Sequence, residues 1–303
     1  MSIALTGATG FVGQAVLDVA ARRETGIRAL TRRPQHDRPG VEWIEGGLGN
    51  AASLATLCEG ADAVIHVAGL TNTPDPAEFE DANVTGTARL IDAAKAAKAR
   101  RFVFVSSLSA REPSLSAYGA SKARAEALVE SSGLDWTIVR PPGVYGPRDV
   151  DYLEMFRTAK FGVVPLPPRG ASSIIHVDDL ARLLLDLVEA SPALVRRHLF
   201  EPDDGREGGW SHAELAKEIG RAVGRHVFAP HLPKSLMMAG ARIDRLVRGD
   251  KARLTPDRVG YMAHPNWVAR SSKKVPAAVW EPRIGGKEGL RATAEWYRAR
   301  GDL

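Results

Sequence analysis

Cysteine occurs once in this 303-residue chain, at Cys58, which excludes a disulfide framework and any zinc site built on several thiolates. The eight histidines form no His-x-x-x-His or His-Glu-x-x-His grouping, so no catalytic metal is expected. Aromatic residues are sparse, at 6%, and no basic run is interleaved with them, which gives no indication of a nucleic-acid surface. Apolar runs stop short of the roughly 18 residues that a membrane-spanning helix needs. The opening Met1-Ser2-Ile3-Ala4-Leu5 has no basic head ahead of an apolar run. It argues against a signal peptide and makes a cytoplasmic location the expectation.

What is present suffices for a large core. Hydrophobic residues make up 44% and charged residues 25%, values of an ordinary globular protein and not of a disordered, collagenous or coiled-coil one. The net charge is +5, unevenly spread. From Phe228 to Leu303 there are 15 Lys/Arg against 7 Asp/Glu. A basic C-terminal part attracts an anionic ligand, surface or partner, or is simply a solvated face.

The first 200 residues alternate short apolar runs with helical stretches. Strands are expected at Ile3–Thr6, Ile27–Leu30, Val41–Ile44, Ala63–Val67, Phe102–Val105 and Trp136–Val139. Helices are expected at Phe11–Arg23, Ala51–Cys58, Ala77–Ala97 and Tyr118–Ser131. Nearly continuous apolar strands joined by helices imply an α/β fold, a doubly wound parallel sheet. After Arg140, prolines and glycines break the pattern. A helix at Asp178–Ala190, with Asp178 or Asp179 as its cap, and a strand at His198–Phe200 rejoin it. Further helices are expected at Ser211–Val223, Pro233–Val247 and Lys287–Arg300. The expected division is a dinucleotide-binding domain of residues 1–145 plus 174–202, and a smaller, discontinuous substrate lobe of residues 146–173 plus 203–303. Leu236-Met237-Met238 reads as core or pocket lining in preference to a lipid contact, Trp280 and Trp296 as core, and His176 as structural.

Thr6-Gly7-Ala8-Thr9-Gly10-Phe11-Val12-Gly13 falls in the first strand-to-helix turn. Glycines there let the backbone turn tightly and approach a pyrophosphate, while the helix N-terminus offers free N–H groups and partial positive charge. At the end of the second strand, where an acid commonly binds the ribose of NAD, stand Thr31, Arg32 and Arg33. Two guanidiniums favour a 2′-phosphate, so NADP(H) is the expected cofactor and NAD(H) the alternative. Tyr118 and Lys122, four residues apart, share a helical face. A free tyrosine has a pKa near 10, and bringing it to neutrality takes roughly 4 kcal/mol, about what one ammonium 4 Å away supplies. The strand Phe102–Val105 ends in Ser106-Ser107, at the sheet edge that faces a ligand crevice.

These pieces occur in order with Val67-Ala68-Gly69, Asn83-Val84-Thr85-Gly86-Thr87 and Arg140-Pro141-Pro142-Gly143-Val144-Tyr145-Gly146-Pro147. Together they resemble an extended short-chain dehydrogenase/reductase, of the NAD(P)-dependent epimerase/dehydratase group. The tail from Trp280-Glu281-Pro282 through Gly289-Leu290 to Trp296-Tyr297 is similar to that family's C-terminus. The resemblance implies Tyr118 as general acid/base, Lys122 on the nicotinamide ribose and Ser107 on the substrate carbonyl. It places Gly7, Thr9, Gly10, Phe11 and Val12 on the pyrophosphate, Ala68 and Gly69 behind the cofactor, and Pro141 and Val144 near the nicotinamide. Asn83 becomes a brace for the helix beside the fourth strand. Family members often dimerise through a four-helix face, and the alanine-rich Ala88–Ala99 suits such a homodimer.

The chain also departs from the pattern. Leu108-Ser109 stands where sugar-nucleotide dehydratases carry Asp-Glu, so a dehydratase is not expected. Ser107 and Tyr118 stand only eleven positions apart, and Gly143 replaces an asparagine that contacts the nucleotide diphosphate in many sugar-nucleotide members. After the third strand, Gly46-Gly47-Leu48 lacks the adenine-binding acid, leaving Leu48 to pack on the base. The expected function is hydride transfer between NADP(H) and a small-molecule carbonyl or alcohol. The alternatives are a nucleotide-sugar epimerase or reductase and a non-catalytic nucleotide-binding subunit.

Overall fold

Residues 1–303, the side chain of Lys251 excepted, are described by a computed structural model of the chain. The N-terminal half runs β1 (Ser2–Thr6), α1 (Phe11–Arg22), β2 (Gly26–Thr31), β3 (Val41–Glu45), α2 (Ala51–Cys58), β4 (Ala63–His66), α3 (Gly86–Ala96), β5 (Arg101–Val105), α4 (Ala117–Ser131) and β6 (Trp136–Val139). Then come β7 (Gly143–Tyr145), α5 (Asp151–Lys160), β8 (Ala171–Ser172), β9 (Ile174–His176), α6 (Val177–Glu189), α7 (Pro192–Val195) and β10 (His198–Phe200). The remainder is β11 (Trp210–Ser211), α8 (His212–Ala222), α9 (Lys234–Arg248), α10 (Pro256–Met262), β12 (Asn266–Trp267) and α11 (Gly286–Ala299).

The central sheet has seven strands in the order β10-β6-β5-β4-β1-β2-β3, and every pair in it is parallel. Strands β4, β5 and β6 are buried along their whole length, which is why they read as unbroken apolar runs. One face packs on α1 and α6 through Val16, Val19, Leu180 and Leu184, and the other on α2, α3 and α4 through Leu54, Leu90, Ala125 and Val129. The chain order reverses between β1 and β4, so the crevice at their C-terminal ends is the expected ligand position in such a sheet. A third cluster, with Phe156, Trp210, Ile219 and Tyr297, fills the smaller lobe around α5, α8 and α11.

Three local expectations are corrected. The single helix Ala77–Ala97 is instead a π-helical turn, Glu80–Thr85, followed by α3. The wider turn brings Asn83 inward, where its amide bonds Leu70 on both backbone groups, at 2.7 and 2.9 Å, and reaches the Ser121 hydroxyl at 3.0 Å. Those bonds compensate for the irregular turn. The cap of α6 is neither Asp178 nor Asp179. His176 takes that place, its Nδ1 accepting from the Asp178 N–H at 3.2 Å. Asp179 is already helical and points inward, accepting from the N–H groups of Arg283 and Ile284 at 2.8 Å each. Finally, Leu236-Met237-Met238 does not act as one core segment. Met237 is buried and Leu236 is 53% exposed, because consecutive helical residues lie about 100° apart and α9 buries only one narrow side.

Candidate active site

The glycine turn closes on the backbone of the next loop. Gly7 has a positive φ of 74°, and a Cβ there would meet the Ala68 nitrogen at 2.6 Å. A Cβ on Gly13 would lie 2.0 Å from the Gly7 carbonyl oxygen. Both positions therefore demand glycine on steric grounds. Gly10 caps α1 without any side-chain bond to its N–H groups, and Phe11 and Val12 begin the helix. The turn is thus a cradle of backbone donors that a side chain would fill, the form a pyrophosphate requires. Thr9 and Gly10 are exposed at its mouth.

Three buried polar residues stiffen the crevice. His66 closes β4 between the hydroxyls of Thr6, at 2.6 Å, and Thr87, at 2.9 Å. Burial, helped by the nearby Lys122 charge, pushes its imidazole down to about 3, so it is neutral. The Thr6 hydroxyl also accepts from the Ala68 N–H at 3.2 Å. Sequence reasoning missed His66, although a lone imidazole at the end of an apolar strand was its signal. Beside it, a Cβ on Gly69 would lie 3.0 Å from Asn83 Oδ1 and 3.6 Å from Lys122 Nζ, so the loop after β4, the π-helical turn and α4 converge there.

Arg32 and Arg33 follow β2 as expected. Both are exposed, and neither has an ion-pair partner among the described residues. The Arg32 stem passes within van der Waals reach of Gly47, so the loops after β2 and β3 meet. The Thr31 hydroxyl ties the turn by donating to the Arg33 carbonyl at 2.6 Å. Leu48 packs against Gly86 at the start of α3.

Helix α4 presents Tyr118 and Lys122, both buried. Ser116 caps it, and Asp257 of α10 accepts from the N–H groups of Ala117 and Tyr118, the second at 3.3 Å. Ser107 caps the short turn Leu108–Arg111 by accepting from Ser109 N–H at 3.1 Å. Its hydroxyl is also the neighbour that favours the ionised form of the Tyr118 phenol. The phenol sits in an aromatic setting, with ring centroids of Phe79 and Tyr261 at 5.8 and 6.1 Å. The loop at Pro141 is tied back to this turn, its carbonyl accepting from Leu108 N–H at 3.1 Å. Val144 lies in β7, paired with Ile175 of β9. Tyr261 and Asp257 were not foreseen, since nothing in the sequence marks residues some 140 positions away as neighbours of Tyr118.

The electrostatics differ from the expectation. Burial pushes the Tyr118 phenol up to about 12, with the Ser107 hydroxyl opposing it. Lys122 does not lower it. Its ammonium instead donates to the Val105 carbonyl at 2.8 Å and lies 4.4 Å from the centre of the Phe104 ring, and burial pushes it down to about 8. A fully desolvated phenolate costs more than one bonded ammonium returns. At neutral pH the Tyr118 phenol is therefore protonated. Gly143, the position of the missing asparagine, is occupied from outside. A Cβ there would meet the Tyr152 hydroxyl at 2.7 Å.

A doubly wound parallel sheet, a glycine turn that excludes side chains and a Ser–Tyr–Lys grouping at the strand ends define a dinucleotide-binding protein of the oxidoreductase class. Residues 7–191 match the family described as NAD(P)H-binding. The chain is 35% identical to a ceramide reductase of Caulobacter vibrioides over 99% of its own length and 96% of the relative. It is 30% identical to a 4-hydroxy-2-methyl-3-oxo-4-farnesyl-3,4-dihydroquinoline-1-oxide ketoreductase of Stigmatella aurantiaca, over 62% of this chain and 64% of that one. Among solved structures, the UDP-glucose 4-epimerase of Thermus thermophilus in complex with NAD superposes with a TM-score of 0.73 at 20% identity, covering 98% of this chain and 99% of that one. The chain belongs to the extended short-chain dehydrogenase/reductase and epimerase family, as an NAD(P)-dependent member.

Proposed function

We propose that this protein is an NADP(H)-dependent reductase of a ketone carried by a lipophilic, ceramide-like molecule. The observation that carries this reading is the buried Tyr118 phenol, enclosed by the rings of Phe79 and Tyr261. That setting suits an apolar ketone and supplies the proton that reduction needs. The likeness to relatives named for a ceramide and a farnesylated quinoline supports the substrate class. Tyr152 at Gly143 speaks against a sugar nucleotide, because it takes the space of the asparagine that would bind the diphosphate.

Bound NADPH supplies the hydride. Gly7, Thr9, Gly10, Phe11 and Val12 hold its pyrophosphate, with Ala68, Gly69, Pro141 and Val144 along its length and Leu48 at the adenine. Arg32 and Arg33 take the 2′-phosphate. Lys122, fixed by the Val105 carbonyl, holds the ribose hydroxyls. Ser107 orients the ketone oxygen, and Tyr118 gives that oxygen its proton. Residues 146–173 and 203–303 form the lobe that receives the rest of the substrate.

Two measurements test this. With a ceramide-like ketone, the protein oxidises NADPH stoichiometrically. Product formed from a UDP-sugar without net change in the cofactor would replace the reductase reading with an epimerase. Arg32→Ala combined with Arg33→Ala raises the Kd for NADPH by about 10–100-fold, the loss of one or two charge-assisted hydrogen bonds. The Kd for NADH stays unchanged. Equal affinity of the unmutated protein for both cofactors contradicts the assignment of the arginines.

A further inference from the structure

Helix α9 has two apolar sides, and the fold uses one. Met237 and Ala241 are buried against Val259 of α10, with Leu254 and Met262 beside them. Leu236, Ile243, Leu246 and Val247 stand 53%, 60%, 85% and 77% exposed. Their spacing puts them together on the opposite side of the helix. Contiguous exposed apolar surface of this kind marks an interaction site. The same helix carries Lys234, Arg242, Arg245 and Arg248 against the single acid Asp244. Arg242 borders the apolar stripe. Arg242 and Arg245 have no carboxylate partner among the described residues, while Arg248 pairs with Asp244 at 3.3 Å.

An exposed apolar stripe bordered by the unpaired guanidinium of Arg242, with that of Arg245 further round the helix, matches a surface that is apolar below and anionic above. We propose that α9 docks on an anionic lipid bilayer, lying in its interface with Leu236, Ile243, Leu246 and Val247 among the acyl chains and the arginines at the phosphates. At 15 residues, α9 lies on the membrane without crossing it, and no helix among the described residues is long and apolar enough to cross one. The placement has a consequence for the site. The buried side of α9 rests on α10, whose Tyr261 ring faces Tyr118 and whose Asp257 caps the catalytic helix. A docked α9 therefore sets the cover of the Tyr118 crevice beside the bilayer. The docking stands on this surface alone and holds for any substrate of the site.

The test is co-sedimentation of the full chain with vesicles of phosphatidylcholine, and of phosphatidylcholine mixed with phosphatidylglycerol. The protein pellets with the mixed vesicles, and the bound fraction falls steeply as salt rises from about 0.1 M to about 1 M. Two variants, Ile243→Glu with Leu246→Glu, and Arg242→Glu with Arg245→Glu, each lower the partition coefficient by about tenfold or more. Leu194→Glu, an exposed apolar residue of α7, leaves binding intact. All three variants keep the unmutated rate of NADPH oxidation with a water-soluble ketone, so a failure of docking is separate from a failure of the reductase reading. Absence of vesicle binding overturns the proposal. So does a dimer in solution that Leu246→Glu splits, since a second copy would then cover the stripe.

Discussion

Tyr118→Phe leaves NADPH bound and the fold intact, and lowers kcat by about a thousandfold, within the 10²–10⁴ range of a positioned general acid. The size of the effect follows from how little else changes. Phenylalanine keeps the ring contacts to Phe79 and Tyr261. Ser107 retains its bond from the Ser109 N–H, so its hydroxyl stays in place. Lys122 is held by the Val105 carbonyl and not by the phenol, so the cofactor site feels no loss. Only the proton goes. The readout is kcat under saturating cofactor, with the NADPH Kd by fluorescence titration as the control. A variant that keeps more than about a tenth of the rate removes Tyr118 from the chemistry.

Much of this site is legible in the sequence, because its parts sit at the ends of regular elements. Gly7 and Gly13 are dictated by a turn that leaves no room for a Cβ, and Tyr118 and Lys122 by one helical turn. The parallel sheet is legible for the same reason, since strands buried on both faces must be apolar throughout. What the sequence conceals is non-local. The direction in which Lys122 points depends on the Val105 carbonyl, and the rise of the Tyr118 pKa depends on burial beneath α10, which arrives from 140 residues later. The stretch before Asn83 looks helical because its composition is helical. Its π-helical turn is set by the tertiary bonds to Leu70 and Ser121, which composition does not encode. Leu236 and Met237 look alike in the sequence, and only the position of α10 separates them.

Glu201→Gln is expected to cost about 3 kcal/mol of stability. Glu201 follows β10 with its side chain fully buried. Three guanidiniums converge on it: Arg270 through Nε at 3.0 Å, Arg111 at 3.6 Å and Arg140 at 3.7 Å. Arg140 also pairs with Glu126 of α4, which accepts from the Ser106 hydroxyl. The network therefore runs from the end of β5 and from α4, through Glu201, to the segment after β12. Removing one carboxylate charge leaves two nearly buried guanidiniums, 12% and 13% exposed, with half their compensation, and like charges then face each other in a medium that screens them poorly. The asymmetry makes the claim specific. Arg270 is 44% exposed, and its removal still leaves Arg111 and Arg140 beside Glu201, so Arg270→Ala costs less, about 1 kcal/mol. Thermal denaturation reads the difference as a drop of about 5–10 °C for Glu201→Gln against about 2 °C for Arg270→Ala. Equal melting temperatures for the two variants would mean that water, and not the carboxylate, balances the arginines.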